Sequence, residues 1–248
     1  MKSGYISGNT LKIIAAVAMV IDHVGLMFFP YSDVFRIIGR LAFPIFAFMI
    51  SEGARYTKSR LRYFLSMFTL GVICQIVYFF FDGGSLYMCI LITFSLGVLP
   101  VFALGYLKKC IFNQGYGRSE RLIAAGLFIS SIILVIALNE VLTIDYGAAG
   151  CFAPLFASLF DFRGIDVPEY VKRLDTLPIR TLTFGLALII LALSSGSSIQ
   201  FFSLLALPFL LCYSGKRGKY RMKYFFYIFY PLHLVLLEGI YLAIYFLK

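Results

Sequence analysis

The chain has 248 residues, 61% of them hydrophobic and 14% charged, against about 45–50% and about 25% in soluble domains. Those proportions, with a mean hydropathy of +0.91, exclude an ordinary soluble domain and leave no room for a sizeable soluble partner domain. The net charge of +10 does not read as a nucleic-acid surface, because its distribution along the chain has a better explanation in membrane topology.

Repeated apolar runs of 17–25 residues read as membrane-spanning helices, since about 20 residues at 1.5 Å rise cross a 30 Å hydrocarbon core. Strict alternation in shorter segments, the mark of a β-barrel, is not visible. The opening MKSGYISGNTLK is too weakly basic for a secretory signal and no small-residue cleavage site follows, so the first span is expected to be retained. The pattern predicts one all-α, polytopic membrane domain over residues 1–248. Its spans are expected at about 11–29, 34–52, 61–81, 86–106, 122–142, 144–160, 180–194, 197–213 and 223–247.

The loops between these nine spans fall into two sets. Residues 53–62, 107–121, 161–180 and 214–223 carry Arg55, Lys58, Arg60, Arg62, Lys108, Lys109, Arg118, Arg121, Arg163, Lys172, Arg173, Arg180, Lys216, Arg217, Lys219, Arg221 and Lys223. Residues 30–34, 82–86, 139–144 and 194–198 carry no Lys or Arg, only Asp33, Asp82 and Glu140. The positive-inside rule then places the amino terminus in the cytoplasm and the carboxyl terminus outside. The basic loops set topology and meet anionic headgroups, and a second reading has some of them hold the phosphates of an anionic cosubstrate. Loop 161–180 mixes both signs and is expected to form a short amphipathic helix.

The first two spans carry ionisable groups inside apolar stretches, where each costs about 2.5–3.5 kcal/mol on insertion scales. Lys12 and His23 are eleven residues apart, which puts them on nearly one helix face and about 16.5 Å apart along the axis. Histidine is suited to taking a proton near neutral pH. A cytoplasmic anchor and a deep base on one stripe suit a long, thin cosubstrate such as acyl-CoA. A buried histidine bonded to a helix backbone fits His23 as well, and an interfacial anchor fits Lys12.

Asp22 points about 100° away from His23 and is expected to pair with Arg36 or Arg40 of the second span. Arg36 and Arg40 share a face at i,i+4 and would clamp an anionic or carbonyl-bearing group through forked donors. The other histidine, His233, lies about 13 Å into the last span, two residues after Pro231, which should kink the helix. Asp145 at the outer mouth of the sixth span and Glu238 are further candidates for orienting a base. Glu52, Gln75 and Gln200 are assigned to helix ends or interhelical hydrogen bonds. Five cysteines are scattered singly, with neither a disulfide framework nor a zinc cluster, and are expected to be buried free thiols.

The blocks GNTLKIIAAVAMVIDHVG, FRIIGRLAFPIFAFMISEG, DYGAAG and KYFFYIFYPLHLVLLEG together resemble the TraX family over nearly the whole chain. That family is named for a conjugation protein that acetylates the pilin amino terminus, and it is similar to the larger group of integral-membrane acyltransferases. In the polysaccharide-modifying members of that group a basic residue precedes a histidine in the first span, and Lys12 and His23 match, with lysine in place of arginine. The resemblance implies acyl transfer from cytoplasmic acetyl-CoA to an amine or hydroxyl acceptor at the outer face of a bacterial cytoplasmic membrane, without a metal. It gives His23 as base with Asp22 and His233 at the catalytic centre. Lys12, Arg36 and Arg40 would hold the cosubstrate, and Asp145, Tyr146, Glu52 and Glu238 would support the acceptor.

Two other classes remain open at this point. A proton-coupled carrier would use the same polar residues as a relay, although no inverted repeat is evident. A noncatalytic assembly factor would need no aligned Lys and His.

Overall fold

The computed structural model describes residues 4–81, 84, 86–220 and 222–246. The helices are α1 (Gly8–Phe28), α2 (Asp33–Gly39), α3 (Ala42–Tyr56), α4 (Arg60–Phe81), α5 (Ile90–Phe112) and α6 (Arg118–Val141). They continue with α7 (Gly147–Ser158), α8 (Glu169–Lys172), α9 (Leu177–Ser195), a 3-10 segment (Ser198–Leu205), α10 (Ala206–Leu211) and α11 (Lys223–Phe246). No strand occurs among the described residues. Asp82 and Arg221, read above as loop charges, lie outside them.

Local chemistry sets several boundaries. The Ser7 side chain caps α1 by accepting from the Thr10 amide at 3.2 Å, and backbone bonds from Gly8 and Asn9 to the carbonyls of Lys216 and Arg217 satisfy two more first-turn donors. Pro178 lies in the first turn of α9, where no amide is needed, and Gly196 ends that helix in the left-handed region.

Seven helical stretches are long and apolar enough to cross a membrane: Gly8–Phe28, Asp33–Tyr56, Arg60–Phe80, Ile90–Phe112, Arg118–Val141, Leu177–Ser195 and Phe225–Ile244. The chain is a multi-pass membrane protein. The remaining two of the nine expected segments are shorter apolar helices, Gly147–Ser158 and Ser198–Leu211. Twelve residues of α7 rise only about 18 Å, and the other segment begins as a more extended 3-10 helix, with about 2.0 Å rise per residue.

One expected span is not a single helix. The stretch 34–52 breaks at Arg40–Leu41, where the Arg40 amide bonds back to Arg36 and Ile37 and the Leu41 amide to Ile38. The sequence carried the reason. Pro44 has no amide to give the Arg40 carbonyl, so the helix restarts with Pro44 in its first turn. In loop 161–180 the expected amphipathic helix is a single exposed turn, α8, while the longer α11 runs on through Pro231.

Helices α3, α5, α7 and α9 form the centre. In the most apolar 18 residues of each span, half of the α2–α3 stretch and 56% of α5 are buried within the protein, against 11% of α6 and of α11, which present their surfaces outward. Lipid is as apolar as leucine, so close packing rather than a hydrophobic force holds such helices together. Accordingly Phe48 of α3 meets Phe184 of α9 edge-on at 5.6 Å. Helix α5 approaches α7 so closely that a Cβ on Gly97 would lie 2.4 Å from the Cys151 carbonyl. Cys74, Cys89, Cys110 and Cys151 are buried free thiols, but Cys212, just past α10, is exposed.

Candidate active site in the membrane

Helices α1 and α2 carry the polar centre, and their contact depends on a glycine. A Cβ on Gly39 would stand 2.1 Å from Asp22 Oδ1, so α2 lies directly over the Asp22 carboxylate only because residue 39 has no side chain. Arg36 Nη1 donates to Asp22 Oδ2 at 2.8 Å, and Arg40 Nη2 lies 3.7 Å from Asp22 Oδ1. The Asp22 pairing expected from the sequence therefore involves both arginines.

Arg40 also links three elements at the break between α2 and α3. Its Nη1 donates to Gln200 Oε1 at 3.0 Å and to the Tyr146 hydroxyl at 3.3 Å. Tyr146 stacks on Phe43 with ring centroids 4.2 Å apart. Its backbone, at φ 60°, is the one non-glycine in the left-handed region among the described residues. Such a conformation costs about 1–3 kcal/mol and persists where the surroundings hold it. Two donors remain unused here, since Arg40 Nε and Gln200 Nε2 are buried without a hydrogen-bond partner among the described residues. A pair of buried, unsatisfied donors is a ready receptor for a carbonyl or carboxylate oxygen.

His23 follows Asp22 and points the other way, toward α11. Its Nδ1 lies 3.3 Å from His233 Nε2, and His233 Nδ1 lies 3.0 Å from the Phe229 carbonyl oxygen. A carbonyl only accepts, so His233 Nδ1 carries the hydrogen and its Nε2 holds a lone pair. The matching hydrogen then sits on His23 Nδ1. The chain of bonds leaves the lone pair of His23 Nε2 at its end, as a base requires. Phe229 stacks on His233 at 5.1 Å and Tyr230 meets it edge-on at 5.6 Å, fixing the ring.

Lys12 also faces α11, its Nζ 6.0 Å from the centre of the Phe226 ring, so it shares a stripe with His23 but stands about three turns away. Asp145 touches neither histidine. The Tyr87 hydroxyl donates to its Oδ1 and the Thr93 hydroxyl to its carbonyl, both at 2.8 Å. Glu238, five residues past His233, lies about 140° round α11 from it. The His233 ring is held by the Phe229 carbonyl.

Glu52 belongs to the opposite end of the bundle. It pairs with Arg180 at 2.6 Å and approaches Arg55 at 4.0 Å. Arg55 in turn meets Asp161 at 3.3 Å and Asp175 at 3.0 Å. This network joins α3, α9 and the loop before α9, about 18 Å along α3 from Arg40. Glu52 is thus not brought to the histidines, because twelve residues of helix separate it from Arg40. No group of three or more His, Cys, Asp or Glu side chains able to hold a metal is found among the described residues.

A family model described as TraX protein matches residues 7–241. The chain belongs to the TraX family. Within known proteins it is similar to a probable fimbrial assembly protein, serogroup H1, of Dichelobacter nodosus, at 26% identity over 93% of this chain and 94% of that one. It is also 33% identical to an uncharacterised protein of Rickettsia prowazekii over 108 residues, 44% of this chain and 42% of the relative's length. No solved structure matches. The TraX match spans both histidines, both arginines and Tyr146, so the whole polar centre lies within the family region.

Proposed function

We propose that this TraX family protein is an integral-membrane acyltransferase that moves an acyl group, acetyl by preference, from acyl-CoA to an amine or hydroxyl. The observation that carries this reading is the chain of bonds from the Phe229 carbonyl through His233 to His23, which leaves a neutral imidazole lone pair at its end. Nine segments crossing the bilayer, with the amino terminus in the cytoplasm, would put the acyl donor on the basic-loop side and the acceptor on the other.

Acyl-CoA would supply an activated thioester. His23 Nε2 takes the proton of the acceptor N–H or O–H as the acceptor's lone pair bonds to the acyl carbon. The carbon–sulfur bond breaks, and His23 returns that proton to the leaving sulfur. His233 holds His23 in the Nδ1–H form throughout. Arg40 Nε and Gln200 Nε2 donate to the acyl oxygen as negative charge grows on it. Asp22 keeps both arginines in place without itself exchanging protons. Two of the centre's unmet groups, Arg40 Nε and Gln200 Nε2, are donors suited to an acyl oxygen.

The name of the Dichelobacter relative, a probable fimbrial assembly protein, supports an acceptor on an extracytoplasmic protein. It equally favours a noncatalytic part in fimbrial assembly. Mass spectrometry of surface proteins separates the two, using cells that lack the gene and are complemented with wild type or His23→Ala. Acylation requires an added acyl mass that only the wild type restores. Equal restoration of surface structures by His23→Ala, with no acyl mass in either, would leave the noncatalytic role.

A further inference from the structure

At the end of the bundle away from the histidines, the last turns of α3 and α7, the start of α4, the second half of α5 and loop residues 161–165 line a cavity of about 260 Å³. Five cationic side chains line it, Arg55, Arg60, Lys108, Lys109 and Arg163, against the single carboxylate of Asp161. Arg55 is matched by Glu52, Asp161 and Asp175. None of the ion pairs among the described residues takes up the other four.

These four cations are held in place by uncharged partners. Buried Lys108 donates from Nζ to the carbonyls of Ser158 at 2.7 Å and Asp161 at 3.1 Å. Arg163 lies 3.8 Å over the centre of the Tyr56 ring. Arg60 sits 5.7 Å over Phe102 and donates to its carbonyl, and Lys109 lies 5.8 Å over Tyr116. A topology signal needs positive charge in a loop, but it requires neither convergence on one cavity nor a buried ammonium. Aromatic faces and backbone carbonyls position the cations without neutralising them, which leaves their charge for an anion.

We infer that this cavity is a binding site for a diphosphate or phosphate-ester group, namely the phosphorylated head of the acyl-CoA cosubstrate. The assignment rests on the acyltransferase reading above. The volume falls below the roughly 300–1,000 Å³ of pockets that enclose drug-sized molecules, so it selects a head group and leaves the rest of the ligand outside. Arg55 marks this end of α3 and Arg40 the histidine end, about 22 Å apart at 1.5 Å per residue. An extended ligand lying along α3 would therefore join the two sites. Lys12, on α1 beside Phe226, would not be the principal phosphate contact.

The test is calorimetric titration of the full chain in nanodiscs with inorganic pyrophosphate, CoA and dephospho-CoA. Wild type is compared with Arg60→Gln/Arg163→Gln and with Lys12→Gln, each checked for an unchanged melting temperature. The site requires pyrophosphate and CoA to bind the wild type and both to weaken about tenfold or more in the double variant, as loss of charge-assisted bonds implies, with Lys12→Gln little changed. If CoA binds equally to wild type and double variant, the head sits elsewhere and the site is overturned while the acyl-CoA reading stands. If pyrophosphate binds at these residues and CoA does not, the cosubstrate assignment falls. If binding is seen only for lipids, as a thermal shift on replacing zwitterionic by anionic nanodisc lipid that the double variant abolishes, the cavity takes a lipid headgroup and the inference is overturned.

Discussion

His23 Nδ1 and His233 Nε2 lie 3.3 Å apart, and the Phe229 carbonyl behind His233 fixes which nitrogen of each ring carries hydrogen. The two residues are 210 positions apart in sequence, yet they form one hydrogen-bonded pair between the first and last helices. In the proposed reaction His233 is a positioning residue and His23 is the base.

That division of labour predicts unequal variants. His23→Ala removes the base and should lower turnover about 10²–10⁴-fold. His233→Phe keeps the packing but removes the side-chain acceptor facing His23 Nδ1, while His233→Gln can still present an acceptor oxygen. Turnover should therefore fall in the order wild type, Gln, Phe, with KM for acyl-CoA unchanged. Equal activity in the Gln and Phe variants would show that His233 does not orient the base.

Tyr146 combines a strained backbone with a hydroxyl bonded to Arg40. Tyr146→Phe keeps the ring on Phe43 and removes only that bond. Its melting temperature should move little, while turnover drops because Arg40 loses a partner that aims it. A change confined to stability would make Tyr146 a packing residue.

Gly39 gives a steric test of the α1–α2 contact. Gly39→Ala forces a Cβ into the Asp22 carboxylate and should cost about 1–3 kcal/mol, with activity lost as Asp22 and the arginines shift. Gly126→Ala in α6 is the control, since nothing lies within 4 Å of that Cβ. It should be neutral or slightly stabilising. Thermal unfolding in detergent measures both.

Glu52 and Arg180 are both almost fully buried, with side-chain exposures of 4% and 3%. Removing one partner leaves the other as an uncompensated charge, a loss of about 3–5 kcal/mol. Glu52→Gln should lower the melting temperature while leaving kcat and KM of the folded fraction near wild type. A selective change in KM for the acceptor would return Glu52 to the substrate site.

Much of the membrane architecture was legible in the sequence because charge in an apolar run is conspicuous. Composition alone indicated a polytopic helical protein, and Asp22, Arg36 and Arg40 stood out as groups needing one another. The break at Arg40–Leu41 was also written there, in Pro44. The contact between His23 and His233 was not, since helix periodicity says which face a residue occupies and nothing about which distant helix covers it. Gln200 joins the site through a 3-10 segment that has no period to detect, whereas Tyr146 was reached through the DYGAAG block. Glu52, more than three helical turns from Arg40, pairs across helices with Arg180, in keeping with its assignment to a helix end or interhelical bond. The cations of the cavity at the Arg55 end looked like topology signals because each loop shows only one or two of them.

The most direct measurement is release of free CoA from acetyl-CoA by the purified protein in nanodiscs, with binding followed in parallel, for wild type and His23→Ala. Comparable binding by both proteins, with thioester cleavage by the wild type alone, is the predicted result and assigns the proton transfer to His23. Cleavage by folded His23→Ala at the wild-type rate, or no binding and no cleavage by folded wild type, would contradict the account.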